Sequence, residues 1–324
     1  MRTYPSLLGR VTVVTGPTAS GKTDVAVEMA RRVGACRSQP FEIISLDSMA
    51  VYRGMDIGTA KASTRQRDTV PHHLIDVVNP DREFSVAEYL RLAHQCVNEI
   101  EQRGHRVLFV GGTPMYLKAI LNGFDPGPPA DPVFRQRVAD DVAQFGLPAL
   151  HQRLTQVDPI SASRIDANDE RRMTRALEFA YLTGQPISHA QTQFTTSSCA
   201  NAGGVFALRT PRPTLHNRIG RRIERMFALG LVDEVRGLLA RYGSLSKTAR
   251  AGVGYRELIE IASQEQPDKE AIDQAHQRIL FHTRRMVRRQ ETWLRSLPEM
   301  KFIDTADRTV DDLADTIVAR LPSN

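Results

Sequence analysis

Eight residues, Gly16-Pro17-Thr18-Ala19-Ser20-Gly21-Lys22-Thr23, constrain this chain more than any other stretch. They match the phosphate-binding pattern G-x-x-x-x-G-K-[ST]. Ahead of them, Val11-Thr12-Val13-Val14 has the β-branched, apolar character of a buried parallel strand. Behind them, Asp24 to Ala30 reads as a helix. Strand, glycine loop and helix in that order predict an α/β fold, a P-loop NTPase-like parallel sheet flanked by helices. The glycines let the loop curl until backbone N–H groups converge on phosphate oxygens, and the helix N-terminus adds its positive dipole end. Lys22 would then reach the terminal phosphates, and the Thr23 hydroxyl would hold a Mg²⁺. The motif names a di- or triphosphate ligand but not a reaction.

The rest of the chain narrows the reaction. Glu42 to Ser48 reads as a second strand ending in an acid, Asp47. Ligands of open α/β sheets bind beyond the C-terminal strand ends, so Asp47 and the phosphate loop should face one cleft. His72 and His73 invite a metal reading, but neighbours on an extended segment point to opposite sides, which favours structural roles. Ser85 to Arg103 is an amphipathic helix, with Ser85 and Glu88 as a capping box and Gly104 as its stop. A third strand, Arg106 to Val110, runs into Gly111-Gly112-Thr113 where many phosphate-loop NTPases carry a Mg²⁺-holding acid. That absence argues against ATP hydrolysis. The two glycines permit close backbone approach to something in the cleft, or simply a tight strand-to-helix turn.

A proline-dense stretch, Asp125 to Pro132, marks a domain boundary. The division expected is a first core segment (1–127), a small all-helical insertion (128–202) and a core completion (203–324). Within the insertion, a helix capped by Asn168 carries Arg171, Arg172 and Arg175. The polar Thr195–Gly204 stretch reads as a flexible return, and Val205 to Leu208 rejoins the sheet. Leu215, Ile219, Ile223 and Met226 form an apolar helical stripe, with Arg218, Arg222 and Arg225 on the adjoining face and Gly230 at the end. The last long helix holds five arginines against one acid between Phe281 and Arg295, with Trp293 among them. Lys and Arg exceed Asp and Glu by six. Three basic clusters and a net positive charge together point to RNA or DNA.

Cysteine usage is sparse: Cys36, Cys96 and Cys199 form no metal or redox spacing, which fits a reducing cytoplasm. No run reaches membrane-spanning length. No apolar seam is left over for self-association, so a monomer is expected.

Taken in order, the motifs resemble one family, the bacterial tRNA dimethylallyltransferases. The matching segments are GPTASGKT at 16–23, DSMAVYRGMDIGTAK at 47–61, PHHLID at 71–76, GGTPMYLKAIL at 111–121, ADP at 130–132, NDERRMTRALE at 168–178, RIGRRIERM at 218–226, GVGYRE at 252–257 and RRQETWLR at 288–295. Two departures stand out: Ala50 where many relatives have Gln, and Ala62 where many have Pro.

The resemblance implies transfer of a dimethylallyl group from dimethylallyl diphosphate to N6 of adenosine 37, 3′ of the anticodon, in tRNAs reading codons that begin with U. The loop residues 16–23 would hold the isoprenoid diphosphate rather than ATP. Asp47 would be the general base. Arg222, with Arg218 as the alternative, would meet the diphosphate, and Thr113 would contact the tRNA and the bridging oxygen. The tRNA contacts implied are Asp47, Ser48, Met49, Ala50, Thr113 and Arg135. They continue with Arg171, Arg172, Met173, Thr174 and Arg175, then Ala251, Gly252, Val253, Gly254, Tyr255 and Arg256. The last group is Arg288, Arg289, Gln290, Glu291, Thr292, Trp293, Leu294 and Arg295. The helical insertion would close over the anticodon stem-loop from one side. Two rivals share the phosphate loop: an ATP-dependent kinase of a nucleoside or small metabolite, and an ATP-gated RNA-binding protein. The kinase leaves the Arg-rich helix unexplained, and no acid is placed for a hydrolytic switch.

Overall fold

The computed structural model describes residues 3–36, 39–190, 204–264 and 268–321. Its strands are β1 (Thr12–Thr15), β2 (Phe41–Leu46), β3 (His72–His73), β4 (Arg106–Gly111), β5 (Val205–Arg209) and β6 (Lys301–Asp304). They form one sheet in the order β3-β2-β4-β1-β5-β6, and every pairing is parallel. All C-terminal ends therefore lie along one edge. β4 sits between β1 and β2, so the turn after β4 comes between the phosphate loop and Asp47.

The helices are α1 (Lys22–Cys36), α2 (Thr64–Thr69), α3 (Val86–Gln102), α4 (Pro114–Asn122), α5 (Pro132–Val157), α6 (Pro159–Arg164) and α7 (Glu170–Thr183). They continue with α8 (Ile187–Ala190), α9 (Arg212–Ala228), α10 (Leu231–Tyr242), α11 (Ile259–Ala262), α12 (Lys269–Arg295) and α13 (Val310–Ala319). The described residues form two compact units, one within 7–121 and 204–321, the other within 3–6 and 122–190.

In the sheet unit the strands are apolar on both faces, as expected when helices cover a parallel sheet. Val14, Leu108, Val110 and Phe206 pack with Met29 and Val33 of α1 and with Leu313 and Ile317 of α13. Ser85 caps α3 by accepting from the Glu88 N–H at 3.1 Å, and Gly104 follows in the left-handed conformation. Only this half of the expected capping box forms among the described contacts. Gly111 corrects another expectation: a Cβ there would lie 2.2 Å from the Leu46 carbonyl oxygen, so that glycine admits the neighbouring strand, not a ligand.

At the opposite end of β2, Glu42 is 4% exposed. It accepts from Arg103 at 3.0 and 2.8 Å, from His73 at 2.6 Å and from His105 at 2.7 Å. Burial alone would raise its pKa, but Arg103 and the two imidazoles outweigh it and hold the carboxyl at about 2. His72 bonds the Val70 carbonyl at 2.7 Å. Both histidines thus serve the scaffold. Because the folded pKa lies below the unfolded value, the stabilisation is present above about pH 4.5 and is lost as pH falls toward 2. Glu42→Gln should lower unfolding free energy at pH 7 by about 3 kcal/mol, a gap that closes toward pH 2, measured by urea denaturation.

The helical unit has its own core of Phe134, Val138, Leu150, Leu154, Met173, Ala176 and Leu177. A left-handed Gly146 ahead of Pro148 breaks α5 into two segments. The cap of α7 is Asp169, not Asn168: the Asp169 carboxylate accepts from the Arg172 N–H at 3.1 Å. Fully buried Glu178 pairs with Arg135 at 2.8 Å and Arg175 at 2.7 Å. Arg175 also donates to the Pro126 and Pro128 carbonyls, both at 2.9 Å, which pins the proline-dense stretch. The expected return at 195–203 lies outside the described residues, as does Cys199.

Candidate active site

The phosphate loop joins β1 to α1 as the sequence requires. Ala19 (φ 67°) and Gly21 (φ 86°) adopt left-handed backbone on either side of Ser20, an alternation that turns successive N–H groups to one side. A side chain at Gly16 would collide with Ser20 Oγ at 2.8 Å. Lys22 folds back to donate to the Pro17 carbonyl at 3.3 Å.

A cavity of about 130 Å³ opens at this edge of the sheet. Its polar lining includes Thr18, Lys22, Asp47, Thr113, Arg222 and Gln290, and its apolar lining includes Met49, Ile223, Met226, Ile279 and Met286. Asp47 follows the last residue of β2. Its Oδ1 accepts from the Met49 N–H at 2.8 Å and the Ala50 N–H at 3.3 Å. That turn fixes the carboxylate through one oxygen and leaves Oδ2 for a ligand. Thr113 locks the neighbouring turn: its N–H donates to the Leu46 carbonyl at 3.2 Å, and its Oγ1 accepts from the Ser48 N–H at 3.1 Å.

Two cations share the cavity. Burial and, after it, the charge of Arg222 lower the Lys22 pKa to about 8, against a smaller opposing pull from Asp47. Burial likewise lowers that of Arg222, and Asp47 again opposes it. Positive charge gathered at such desolvation expense is what an anionic ligand relieves. Arg222 donates to the Thr59 carbonyl at 3.0 Å. Arg218, exposed on the same helix, reaches only the Ser20 carbonyl at 3.5 Å and does not line the cavity.

The family resemblance alone assigns Gln290 to the tRNA. It is 8% exposed and bridges the site from within. It accepts from the Thr18 N–H at 3.0 Å and donates to the Gly112 carbonyl at 2.8 Å. The close approach that Gly112 allows is therefore made by the protein: a Cβ there would lie 2.9 Å from Gln290 Nε2 and 3.0 Å from the Gly16 carbonyl. The signal was present in the sequence. Ile279, Thr283, Val287, Gln290 and Leu294 form one inward stripe of α12.

The remaining residues named from the sequence divide by exposure. Ser48, Met49, Val253, Gly254 and Tyr255 line the cavity. Ala251, Arg256, Arg288, Arg289, Thr292 and Arg295 are exposed, and Glu291 pairs with Arg212 at 3.2 Å. Trp293 carries the Lys118 ammonium 5.7 Å from its ring centre. Arg171 and Arg172 are exposed on the helical unit, while Arg135 and Arg175 are held by Glu178. Met173 (0% exposed) and Leu294 (4%) are core residues, which removes their side chains from any binding surface. Ala50 and Gly252 are buried too. Gly16, Pro17, Ala19, Ser20, Gly21, Thr23 and Thr174 lie outside the cavity lining.

Among the described residues no group of three or more His, Cys, Asp or Glu could hold a metal by itself. Nor is any helix there long and apolar enough to cross a membrane. Cys96 is a free thiol whose pKa burial pushes up to about 11.

Residues 50–297 match the family model described as IPP transferase. The chain is 54% identical to a tRNA dimethylallyltransferase of Rhodopirellula baltica, over 98% of this chain and 96% of that one. It resembles the crystal structure of the tRNA isopentenylpyrophosphate transferase of Bacillus halodurans, with TM-score 0.65 and 35% identity over 96% of this chain and 94% of that one. A eukaryotic dimethylallyltransferase captured acting on tRNA has the same fold, with TM-score 0.71 and 23% identity over 92% and 74%.

Proposed function

Because the chain belongs to the tRNA dimethylallyltransferase family, we propose that it transfers a dimethylallyl group from dimethylallyl diphosphate to N6 of adenosine 37 in tRNAs reading codons that begin with U. The observation that carries this reading is the juxtaposition in one cavity of a phosphate-loop lysine, a second buried cation and a carboxylate with a free oxygen.

The N6 amine of adenine is a weak nucleophile because its lone pair is delocalised into the ring. Asp47 Oδ2 accepts one N6–H, which orients the amine toward C1 of the allyl group. The N6–C1 bond forms as the C1–O bond breaks. The proton passes to Asp47, and the electron pair of the broken bond leaves with the diphosphate. Charge then builds on diphosphate oxygens between Lys22, Arg222 and the loop N–H groups, and preorganised donors aimed at developing charge lower the barrier. The apolar lining from Met49, Ile223, Met226, Ile279 and Met286 suits a five-carbon hydrocarbon.

The Thr23 hydroxyl, at the start of α1, is a hard oxygen donor that would hold a Mg²⁺ accompanying the diphosphate. Bound there, Mg²⁺ would supply charge neutralisation for the leaving diphosphate.

The adenine must leave the anticodon stack to reach the cavity, at a cost of a few kcal/mol. Phosphate contacts with the exposed arginines of α12 offset that cost. Arg288→Ala and Arg289→Ala should weaken tRNA binding and flatten the log–log salt dependence by about one unit each, read by filter binding. An unchanged slope in both would take tRNA off this surface. As a test of the donor, allyl-labelled dimethylallyl diphosphate and γ-labelled ATP are each incubated with unmodified tRNA and Mg²⁺. Label should enter tRNA from the first only; phosphoryl transfer from ATP would favour the kinase.

A further inference from the structure

The carboxylate of Glu234, in the first turn of α10, makes four hydrogen bonds that the motif assignments do not use. Oε2 accepts from the N–H groups of Asp56 at 2.9 Å and Ile57 at 2.7 Å. Oε1 accepts from the Gly58 N–H at 3.1 Å and from the Tyr255 hydroxyl at 2.7 Å. Three consecutive backbone donors and a phenol converge on one side chain.

What this holds is one wall of the cavity. Gly58, Thr59 and Tyr255 all line it. Gly58 lies so close to the fully buried Tyr255 ring that a Cβ would come within 2.6 Å of it. The next carbonyl, that of Thr59, receives the Arg222 guanidinium. Residues 56–59 belong to no regular helix or strand, so sheet hydrogen bonds do not set their position. Glu234 and the Tyr255 ring hold the loop on the cavity side, while the Thr59 hydroxyl donates to the Met55 carbonyl at 2.6 Å and Lys61 to the Asp56 carboxylate at 2.6 Å. The chain of contacts runs from Glu234 to the 56–58 amides, through Thr59, to Arg222.

We propose that Glu234 is a positioning residue that sets the Arg222 guanidinium against the diphosphate through the Asp56–Thr59 loop. This rests on the reading of Arg222 as a diphosphate ligand, so the test uses inorganic pyrophosphate binding, which needs no prenyl transfer. Glu234→Gln is nearly isosteric, but its NH₂ faces backbone N–H groups that need an acceptor. Glu234→Gln, Arg222→Gln and the double variant are titrated with pyrophosphate and Mg²⁺ by calorimetry. Each single variant should lose about tenfold in affinity, and the double variant should lose no more than Arg222→Gln alone, because both changes remove one interaction. Hydrogen exchange at Ile57 and Gly58 should quicken in Glu234→Gln while that of the sheet strands stays slow.

Additive losses, or wild-type affinity in Glu234→Gln, would overturn the proposal. A wild-type protein that binds pyrophosphate yet transfers no prenyl group would count against the proposed function and leave this coupling standing. Should Glu234→Gln fail to fold, Tyr255→Phe deletes one donor to the same carboxylate. Its loss of about twofold to fivefold should vanish in the Arg222→Gln background. Persistence of that loss would overturn the proposal equally.

Discussion

Asp47→Asn should lower kcat for dimethylallyl transfer by about 10²–10⁴-fold, the range typical of removing a positioned general base. The substitution is chosen for what it keeps. An amide oxygen can still accept from the Met49 and Ala50 N–H groups, so the turn after β2 retains its shape. What would be lost is the proposed capacity of Oδ2 to take the N6 proton. The effect should therefore fall on kcat, with tRNA and diphosphate affinities within a few-fold of wild type. Single-turnover kinetics with saturating diphosphate reads the chemical step directly. A loss confined to tRNA affinity would make Asp47 a docking residue instead.

The second large effect is that of Lys22. Removing this donor to the leaving diphosphate should reduce kcat by about 10²–10³-fold, comparable to deleting one preorganised oxyanion contact. Its pH behaviour separates it from the other cation. The amine has a pKa near 8 in the free protein, lowered by burial and by Arg222. An anion favours the charged form, so diphosphate affinity should be constant below pH 8 and decline as pH rises above it. Lys22→Ala should bind weakly with no break near pH 8. Stability moves the other way. A lysine whose folded pKa lies below its unfolded value opposes folding while charged, so the alanine variant should melt at a higher Tm at pH 7. Weaker binding in a more stable protein excludes misfolding as the cause.

These effects rest on residues that the sequence made legible to different degrees. The phosphate loop and Asp47 could be read because each needs only local order: a β-branched run, then a glycine loop or an acid at a strand end. Parallel topology then places both on one edge of the sheet. Thr113, which only the family resemblance names, lies on the same edge after β4. Gln290 and Glu234 could not be placed this way, because each acts on a segment far from it in the chain: Gln290 on Thr18 and Gly112, and Glu234 on residues 56–58. Helical periodicity shows that Gln290 faces inward, but not what it meets.

Basic clusters misled in part for a related reason. Arg171, Arg172 and Arg175 look alike along the chain, yet Arg175 is tied to Glu178 and two proline carbonyls while its neighbours face solvent. Strand β6 is hard to read because it is only four residues long, at the sheet edge, with exposed charges at both ends, Lys301 and Asp304, around a single buried residue, Ile303. A helix cap misplaced by one residue, Asn168 for Asp169, reflects two adjacent side chains with similar capping chemistry.

The proposed reaction joins an allylic carbon to an adenine amine in this cavity. The most direct measurement incubates the purified protein with Mg²⁺, dimethylallyl diphosphate and an unmodified tRNA carrying adenosines 3′ of its anticodon. The tRNA is then digested, and the nucleosides are weighed and mapped. N6-dimethylallyladenosine at position 37, present with wild type and absent with Asp47→Asn, is the predicted result. Unmodified adenosine at that position, from a protein that binds both substrates, would contradict the account.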